Sequence, residues 1–266
     1  MDSKTSELNH HSSREKMAQS VVELQGVTVK FGLHERLKNV HLAVGRGEML
    51  AVMGPSGSGK SLLLKVMVGL VSPTAGAVYV DGRALTSLST QETVSRNSRI
   101  GMLFQRNALF DSLTAIENVC FPQIETLGVS EKQAIEFSKE LLASVGLSAA
   151  AERYPSEMSG GMQKRLGIAR ALALRPEFLL FDDPTAGLDP ITSRSIMRLI
   201  KELQIQNKAT AVVVTNEVAR AYQVADRMLL TFAGEALDVG SPEQARAHRD
   251  PRVVQFLKGE TEGPLR

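Results

Sequence analysis

The fold is decided by one glycine-rich stretch, Gly54-Pro55-Ser56-Gly57-Ser58-Gly59-Lys60-Ser61. It matches the pattern G-x-x-x-x-G-K-[ST] in full. The apolar run at residues 49–53 predicts a buried strand before it, and residues 62–70 predict a buried helix after it. A loop between such elements points backbone N–H groups and a helix N-terminus at a bound phosphate. The stretch therefore predicts a nucleoside triphosphate site. The alternative is a glycine-rich turn that matches by chance.

Two side chains at the end of this loop have separate expected tasks. Lys60 supplies a positive charge to the β- and γ-phosphates. The Ser61 hydroxyl is placed to ligate Mg²⁺, which is a hard cation that prefers oxygen ligands. The expected ligands are therefore a triphosphate and Mg²⁺.

Composition restricts the class of protein. The 266 residues are 43% hydrophobic and 23% charged, which suits one soluble α/β domain with room for an inserted subdomain. Thirty-one basic and 29 acidic residues give a net charge of +2, too balanced to predict nucleic acid as a partner. The longest apolar runs fall short of the ~18 residues that a membrane span needs, and no secretory signal is expected. The single cysteine, Cys120, predicts a packed thiol in a reducing compartment.

The chain divides into regions of different pattern. Residues 1–20 are polar and rich in serine, which predicts a disordered arm. Residues 21–30, 39–44 and 77–80 predict a small antiparallel sheet, with a turn at Phe31-Gly32. Residues 106–165 have a helical pattern and predict an inserted subdomain.

The second half returns to apolar strands that alternate with helices. Residues 178–181 and 211–214 predict buried strands, and residues 191–204 predict an amphipathic helix between them. Such alternation indicates a parallel sheet covered on both faces. The expected fold is thus α/β: a P-loop NTPase (RecA-like) core, a flanking antiparallel β-subdomain and an inserted α-helical subdomain.

The first of these buried strands ends in a carboxylate, in the run Phe178-Leu179-Leu180-Phe181-Asp182. An apolar strand that delivers Asp182 to its end fits a ligand of Mg²⁺, directly or through water. Alone, such a run is more often structural. Two neighbouring motifs change this interpretation: the helix start Ser159-Gly160-Gly161-Met162-Gln163, and the turn Gly187-Leu188-Asp189-Pro190.

With these motifs, residues 21–245 resemble the nucleotide-binding subunit of ATP-binding-cassette (ABC) transporters, and residues 246–266 form a C-terminal tail. The resemblance implies an ATPase that uses ATP and Mg²⁺. It implies that Gln105 is the Q-loop glutamine, a ligand of Mg²⁺ that acts in catalysis. It also implies that Phe31 stacks on adenine, and the alternative for Phe31 is an ordinary core residue at a turn.

The resemblance further implies a homodimer. In the family, two subunits pair head to tail around two ATP molecules, and each γ-phosphate meets the phosphate loop of one subunit and the signature serine of the other. Ser159, Gly160, Gly161 and Gln163 would then reach the nucleotide of the partner subunit. The alternative for this segment is a glycine-rich helix N-cap.

A narrower resemblance lies in residues 101–114 and continues through Glu117-Asn118-Val119 and Phe121-Pro122. This part is similar to the Mla-class ATPases, which power phospholipid transport between bacterial membranes with MCE-domain proteins. It implies transmembrane permease subunits and an MCE-domain protein as partners, at the cytoplasmic face of the inner membrane. Leu109 and Phe110 are candidate contacts with the membrane partner or, alternatively, subdomain core.

Two positions depart from the family pattern. The usual Asp-Glu pair is here Asp182-Asp183, so the water-positioning acid is one methylene shorter. The usual switch histidine is Asn216, which can donate a hydrogen bond to the γ-phosphate but carries no charge. Both changes predict ATP binding with slow hydrolysis. The alternative is that Asp183 and Asn216 work adequately in this setting.

Other functional classes remain as alternatives. An ABC ATPase that acts on DNA or the ribosome would carry a long coiled-coil insertion or two fused cassettes, and the sequence shows neither. A nucleotide-gated scaffold that never hydrolyses ATP is argued for only by Asp183 and Asn216. A different transported substrate would leave the mechanism unchanged.

Overall fold

The computed structural model describes residues 20–265. Nearly all of the predicted disordered arm, residues 1–20, lies outside the described residues; Ser20 already belongs to the first strand. The strands are β1 (Ser20–Phe31), β2 (His34–Gly45), β3 (Met49–Met53), β4 (Ala75–Val80), β5 (Arg83–Ala84), β6 (Ile100–Leu103), β7 (Phe178–Asp182), β8 (Thr210–Val214), β9 (Arg227–Phe232) and β10 (Glu235–Gly240).

The helices follow the same order along the chain. They are α1 (Lys60–Met67), α2 (Thr90–Ser98), α3 (Ala115–Leu127), α4 (Glu131–Ser144), α5 (Gly160–Leu172), α6 (Pro190–Gln206), α7 (Val218–Val224), α8 (Pro242–Arg246) and α9 (Pro251–Lys258). Short 3₁₀ turns lie between some of them.

The predicted antiparallel sheet is confirmed, with the strand order β2-β1-β4-β5. Strand β2 is longer than predicted and begins at His34, because the chain turns at once and pairs Phe31 with His34. The first half of β2 is mostly polar and exposed, so an apolar pattern could not predict it as a strand.

The central sheet has the order β10-β9-β3-β8-β7-β6. Strands β9, β3, β8, β7 and β6 are parallel, and β10 pairs antiparallel with β9. Every residue of β3, β7 and β8 is buried, because α1 and the antiparallel sheet pack on one face of the central sheet and α5 and α6 pack on the other. This explains their uninterrupted apolar runs, and it confirms the predicted α/β class.

Helices α3 and α4 form the inserted helical region, and α5 joins it to the core. The predicted boundary at residue 165 falls inside α5, which continues to Leu172. Leu142 of α4, Leu166 of α5 and Phe181 of β7 belong to one hydrophobic cluster. The insertion therefore shares its core with the central sheet. Cys120 of α3 is buried, as predicted, and its thiol donates to Ser138 Oγ at 3.3 Å.

The predicted C-terminal tail, residues 246–266, contains α9 and packs on the core as far as it is described. Val253 is fully buried in a cluster with Ala51 and Met53 of β3. None of the helices within residues 20–265 combines the length and hydropathy that crossing a bilayer requires.

Candidate functional site

The phosphate loop joins β3 to α1 at the carboxyl edge of the central sheet. Gly54 has a φ of 145°, and a β-carbon there would lie 2.0 Å from the carbonyl oxygen of Thr231. Gly59 has a φ of 103° and precedes α1 without a side-chain cap. The first N–H groups of α1 therefore point out of the helix end, which is the arrangement that binds phosphate.

The Lys60 side chain is buried within this loop. Its ammonium donates to the carbonyl oxygens of Gly54 and Pro55, both at 2.8 Å. Burial lowers the pKa of Lys60, while the carboxylates of Asp183 and Asp182 act in the opposite direction. The loop thus holds a cation that can pair with a triphosphate.

Two predicted metal ligands meet directly. The Ser61 hydroxyl donates to Asp182 Oδ1 at 2.8 Å, which joins the start of α1 to the end of β7. Within residues 20–265, no group of three or more His, Cys, Asp or Glu side chains could hold a metal. A hydroxyl and one carboxylate suit Mg²⁺, because Mg²⁺ keeps waters and takes phosphate oxygens rather than an all-protein cage.

The Ser58 side chain bonds within the protein, and the prediction assigns only the backbone of residues 57–59 to the phosphates. Its buried Oγ lies 2.7 Å from Thr231 Oγ1. Thr231 Oγ1 in turn donates to the Met53 carbonyl at 3.1 Å, so the Ser58 hydroxyl is the donor to Thr231. The Ser58 side chain therefore anchors the loop to β9, while Pro55, Ser56 and Gly57 form its exposed crest.

A groove of about 410 Å³ opens beside the loop. Phe31 is 55% exposed and lines this groove together with Gly57, Lys60 and Ser61. The structure thus brings Phe31 to the phosphate loop, with its ring available to stack on a base. An exposed ring is a poor fit to the alternative interpretation as a core residue.

Arg36 and Lys65 also line the groove and were not predicted. Lys65 follows Ser61 by four residues and so lies on the same helix face, which is a signal that the sequence contains. The position of Arg36 depends on how the β1–β2 hairpin folds over the loop. The Arg36 carbonyl lies 3.0 Å from where a Gly59 β-carbon would be.

Asp183 follows β7 with a φ of 49°, and its N–H donates to the Val214 carbonyl at 3.0 Å. Burial raises the pKa of Asp183, and the Asp182 carboxylate adds to the rise. The ammonium of Lys164 acts against it. A carboxylate with a raised pKa is better suited to accept a proton from water than an ordinary aspartate.

The remaining predicted catalytic residues share the same edge of the sheet. Gln105 is exposed and follows β6, and Asn216 is exposed and follows β8. Because β3, β8, β7 and β6 are parallel neighbours, their carboxyl ends lie side by side. The structure therefore brings together the segments that carry Lys60, Asp183, Gln105 and Asn216.

A further contact links two of these segments and was not predicted. The Thr185 hydroxyl donates to Glu217 Oε1 at 2.9 Å, and the Glu217 N–H donates to Thr215 Oγ1 at 3.0 Å. The turn after β7 and the turn after β8 are therefore fixed to each other. A Thr and a Glu in loops give no sequence signal for such a contact.

Ser159 caps α5, as its N-cap position predicted. Its Oγ accepts from the Met162 N–H at 3.3 Å, and both Ser159 and Gly160 are exposed. A β-carbon on Gly161 would lie 2.9 Å from Thr192 Cγ2, so glycine permits the close approach of α5 to α6. The result is an exposed, serine-capped helix tip of the kind that binds anions.

Gln163 does not share this exposed tip. Its amide donates to the carbonyls of Pro155 at 2.9 Å and Met158 at 3.3 Å. The side chain therefore holds the turn before the signature, instead of extending toward a partner nucleotide as expected. Position 163 lies on the inner side of the first helical turn, which the motif alone did not reveal.

The helix tip and the phosphate loop are separate in this chain. Among the described residues, those that line the groove beside Lys60 include none from the segment 159–163. The helix tip thus contributes no residue to the groove in which the phosphate loop lies.

Comparison with known proteins decides the family. A family profile described as "ABC transporter" matches residues 37–186, more than half of the chain. The chain belongs to the ABC transporter family. The resemblance seen in the motifs is confirmed, and the chain is an ATPase subunit that uses ATP with Mg²⁺.

Individual ABC transporter proteins match over most of the chain. The "Intermembrane phospholipid transport system ATP-binding protein MlaF" of Haemophilus influenzae is 39% identical, over 94% of this chain and 95% of the relative. The "Glutamine transport ATP-binding protein GlnQ" of Escherichia coli is also 39% identical, over 90% and 99%. A dimeric post-hydrolysis structure of the ATP-binding cassette MJ0796 with ADP and Pi has a TM-score of 0.74 at 37% identity, over 82% and 98%.

Proposed function

We propose that this ABC transporter subunit powers a membrane complex of the Mla type, which moves phospholipids across the cell envelope. Overall identity does not choose the substrate, because the phospholipid and glutamine relatives match at the same 39%. The choice depends on residues 101–122, whose sequence resembles the Mla class, with agreement from residues 154–158, 189–192 and 250–257. A complex with another substrate is the alternative.

The observation that carries the mechanism is the separation of the two anion sites. A triphosphate would be held by Lys60 and the loop amides. None of the residues that line the groove beside Lys60 comes from the segment 159–163 of the same chain. A second copy, placed head to tail, would supply its own Ser159 and Gly160 to that nucleotide. Two copies would thus enclose two ATP molecules, and the similar MJ0796 cassette is itself dimeric with ADP and Pi bound.

Within such a site the residues have distinct roles. Lys60 and the amides from Gly57 to Gly59 bind the phosphates, and Phe31 stacks on the adenine. Ser61, Asp182 and Gln105 would hold Mg²⁺, which neutralises charge that develops on the phosphates. Asp183 orients water and accepts its proton, and Asn216 donates a hydrogen bond to the γ-phosphate.

The helical insertion is the proposed contact with permease subunits. Phe110 is 37% exposed and lies against the Phe121 ring, with centroids 4.8 Å apart. Leu109 is partly buried against the main hydrophobic cluster, which favours its interpretation as core. Phe110 is thus the better candidate of the two. The proposed location is the cytoplasmic face of the inner membrane, with an MCE-domain protein in the same complex and no nucleic acid.

A catalytically weak, nucleotide-gated subunit is the second candidate. It is favoured by Asp183, which is short for its task, and by Asn216, which carries no charge. ATP binding would then close the dimer, and slow hydrolysis would reopen it.

Isolation of the intact complex from membranes tests the substrate. We expect permease subunits, an MCE-domain protein and phospholipid to co-purify, and phospholipid vesicles to raise ATP hydrolysis. The matched control is Lys60→Ala, which should assemble and bind lipid without hydrolysing ATP. Stimulation by an amino acid and its binding protein, with no response to lipid, would overturn the proposed substrate.

A further inference from the structure

One side of α5 packs along the Q-loop of its own chain. Residues 164, 167 and 170 of this helix are spaced by three and so lie on the same side. Each of them meets the segment 103–108, which begins at the last residue of β6 and contains Gln105. The same helix begins at the exposed Ser159 tip, so it connects two parts of the nucleotide machinery.

The first contact is made by Lys164, which is only 4% exposed. Its ammonium donates to the backbone carbonyl of Gln105 at 2.6 Å. Burial lowers the pKa of Lys164, and the carboxylates of Asp183 and Asp182 act in the opposite direction. A buried cation thus bonds the Q-loop backbone, and its charge interacts with the two acids at the end of β7.

Two further contacts continue along the helix. A β-carbon on Gly167 would lie 2.5 Å from Leu103 Cδ1, so the Leu103 side chain packs directly on this glycine. The Arg170 guanidinium donates to the Ala108 carbonyl and lies over the Phe110 ring, 4.6 Å from its centroid.

The loop held by these contacts has an uncommon backbone. Asn107 has a φ of 60° and Ala108 a φ of 52°, in the left-handed region that residues with a β-carbon rarely adopt. Such conformations persist when the surroundings hold them. The carbonyls that Lys164 and Arg170 bind lie on Gln105 and Ala108, on the two sides of Asn107.

We propose that Lys164 is a positioning residue for Gln105, which it fixes to α5 so that the Q-loop and the Ser159 tip of this helix move together. This inference rests on the proposed function only in assigning Gln105 to the nucleotide site. Its consequence is that a phosphate held by the Ser159 tip also sets the position of Gln105 in the same protomer. The two nucleotides of a dimer would then be linked through Lys164.

The first test measures the loop without any need for activity. Hydrogen exchange of residues 104–110 is followed in the purified full chain, in the Lys164→Met variant and in Lys164→Arg. Lys164→Met should speed exchange in this segment at least about tenfold, and Lys164→Arg should remain near the parent because a guanidinium can donate to the same carbonyl.

Arg165→Met is the matched control, since Arg165 is the next residue and also donates to a backbone carbonyl, that of Val145 at 2.9 Å. It should leave exchange at residues 104–110 unchanged. Unchanged exchange in Lys164→Met, or equal acceleration in Arg165→Met, would overturn the positioning role.

The second test asks whether Lys164 acts through Gln105. Lys164→Met should lower kcat about 10- to 100-fold, as small misplacements do, with metal-free binding of a fluorescent ATP analogue unchanged. In a Gln105→Ala background, the same change should lower kcat much less. If Lys164→Met lowers kcat by the same factor in the Gln105→Ala background as in the parent, the inference is contradicted. If the parent does not hydrolyse ATP, the proposed function fails, and the exchange experiment still decides the role of Lys164.

Discussion

At the scale of single residues, Asp183 combines a functional position with an unfavourable environment. Its carboxylate is partly buried beside that of Asp182, and both effects raise its pKa. Lys164 and Lys60 compensate only in part. A group held in such a place for its chemistry usually lowers the stability of the fold.

We therefore expect Asp183→Asn to stabilise the chain while it stops hydrolysis. Because the folded-state pKa of Asp183 is raised, the charged carboxylate destabilises the folded state fully above that pKa, and this effect is lost as the pH falls from it toward the lower pKa of the unfolded state. The Tm of Asp183→Asn without nucleotide should exceed that of the parent by about 2–4 °C at neutral pH. The difference should shrink as the pH falls and the parent carboxyl becomes protonated.

Thermal melts in EDTA between pH 4 and pH 8 would measure this. Asp238→Asn is the control, since that carboxylate pairs with Arg227 at 2.7 Å on the surface. A lower Tm for Asp183→Asn at neutral pH would show that the carboxylate stabilises the fold.

The departures at Asp183 and Asn216 give a second prediction at this scale. If they slow hydrolysis, Asp183→Glu or Asn216→His should raise kcat of the assembled complex, and the double variant should gain less than the product of both. Steady-state ATPase assays would measure this. If neither change raises kcat, both residues are adequate in this setting.

At the scale of elements, the sequence predicted the central strands well because burial on both faces leaves an uninterrupted apolar run. Strand β3 coincides with its prediction at residues 49–53, and β7 and β8 differ by one residue. The side-chain contacts between elements could not be predicted from the sequence pattern. Ser58 and Gln163 lie inside the motifs, yet their partners, Thr231 and the Pro155 carbonyl, depend on how other segments pack against them.

The burial of Lys164 is a second feature that could not be predicted from the sequence. A lysine on an amphipathic helix is usually solvated, and nothing in the pattern distinguishes a buried one. Its burial follows from the packing of α5 beside the segment after β6, where its ammonium donates to the Gln105 carbonyl.

The packing of α5 against α6 gives a prediction for the signature. Gly161→Ala should cost about 1–3 kcal/mol of stability, because its β-carbon would meet the Thr192 methyl. Thr192→Ser removes that methyl and keeps the hydroxyl that donates to Asp189 Oδ2 at 2.5 Å. The double variant should recover most of the loss, as judged by urea unfolding.

Gly160→Ala is the control for that pair, since its β-carbon would lie at an ordinary 3.4 Å from Leu188. It should change the free energy of unfolding by less than about 0.5 kcal/mol. Equal losses for both glycine variants, or no recovery with Thr192→Ser, would count against a steric role of Gly161.

At the scale of the whole molecule, the chain carries half of each site that it needs. The loop around Lys60 and the helix tip at Ser159 both present amide groups to an anion, but from different places. A pair related by a twofold axis completes both sites at once. The dimer implied by the sequence motifs is therefore consistent with a groove beside Lys60 that residues 159–163 of the same chain do not line.

This predicts dimerisation that depends on ATP. Asp183→Asn, which should bind ATP without hydrolysing it, is expected to pass from monomer to dimer when Mg²⁺ and ATP are added. Light scattering coupled to size-exclusion chromatography would measure the mass. Adding Ser159→Arg to this variant should prevent the dimer while a fluorescent ATP analogue still binds at Lys60.

The shared site itself is best tested by determining the structure of the Asp183→Asn variant with Mg²⁺ and ATP. Each triphosphate should contact Lys60 of one copy and Ser159 of the other. A triphosphate enclosed by one copy alone, with Ser159 of the second copy in solvent, would contradict the mechanism.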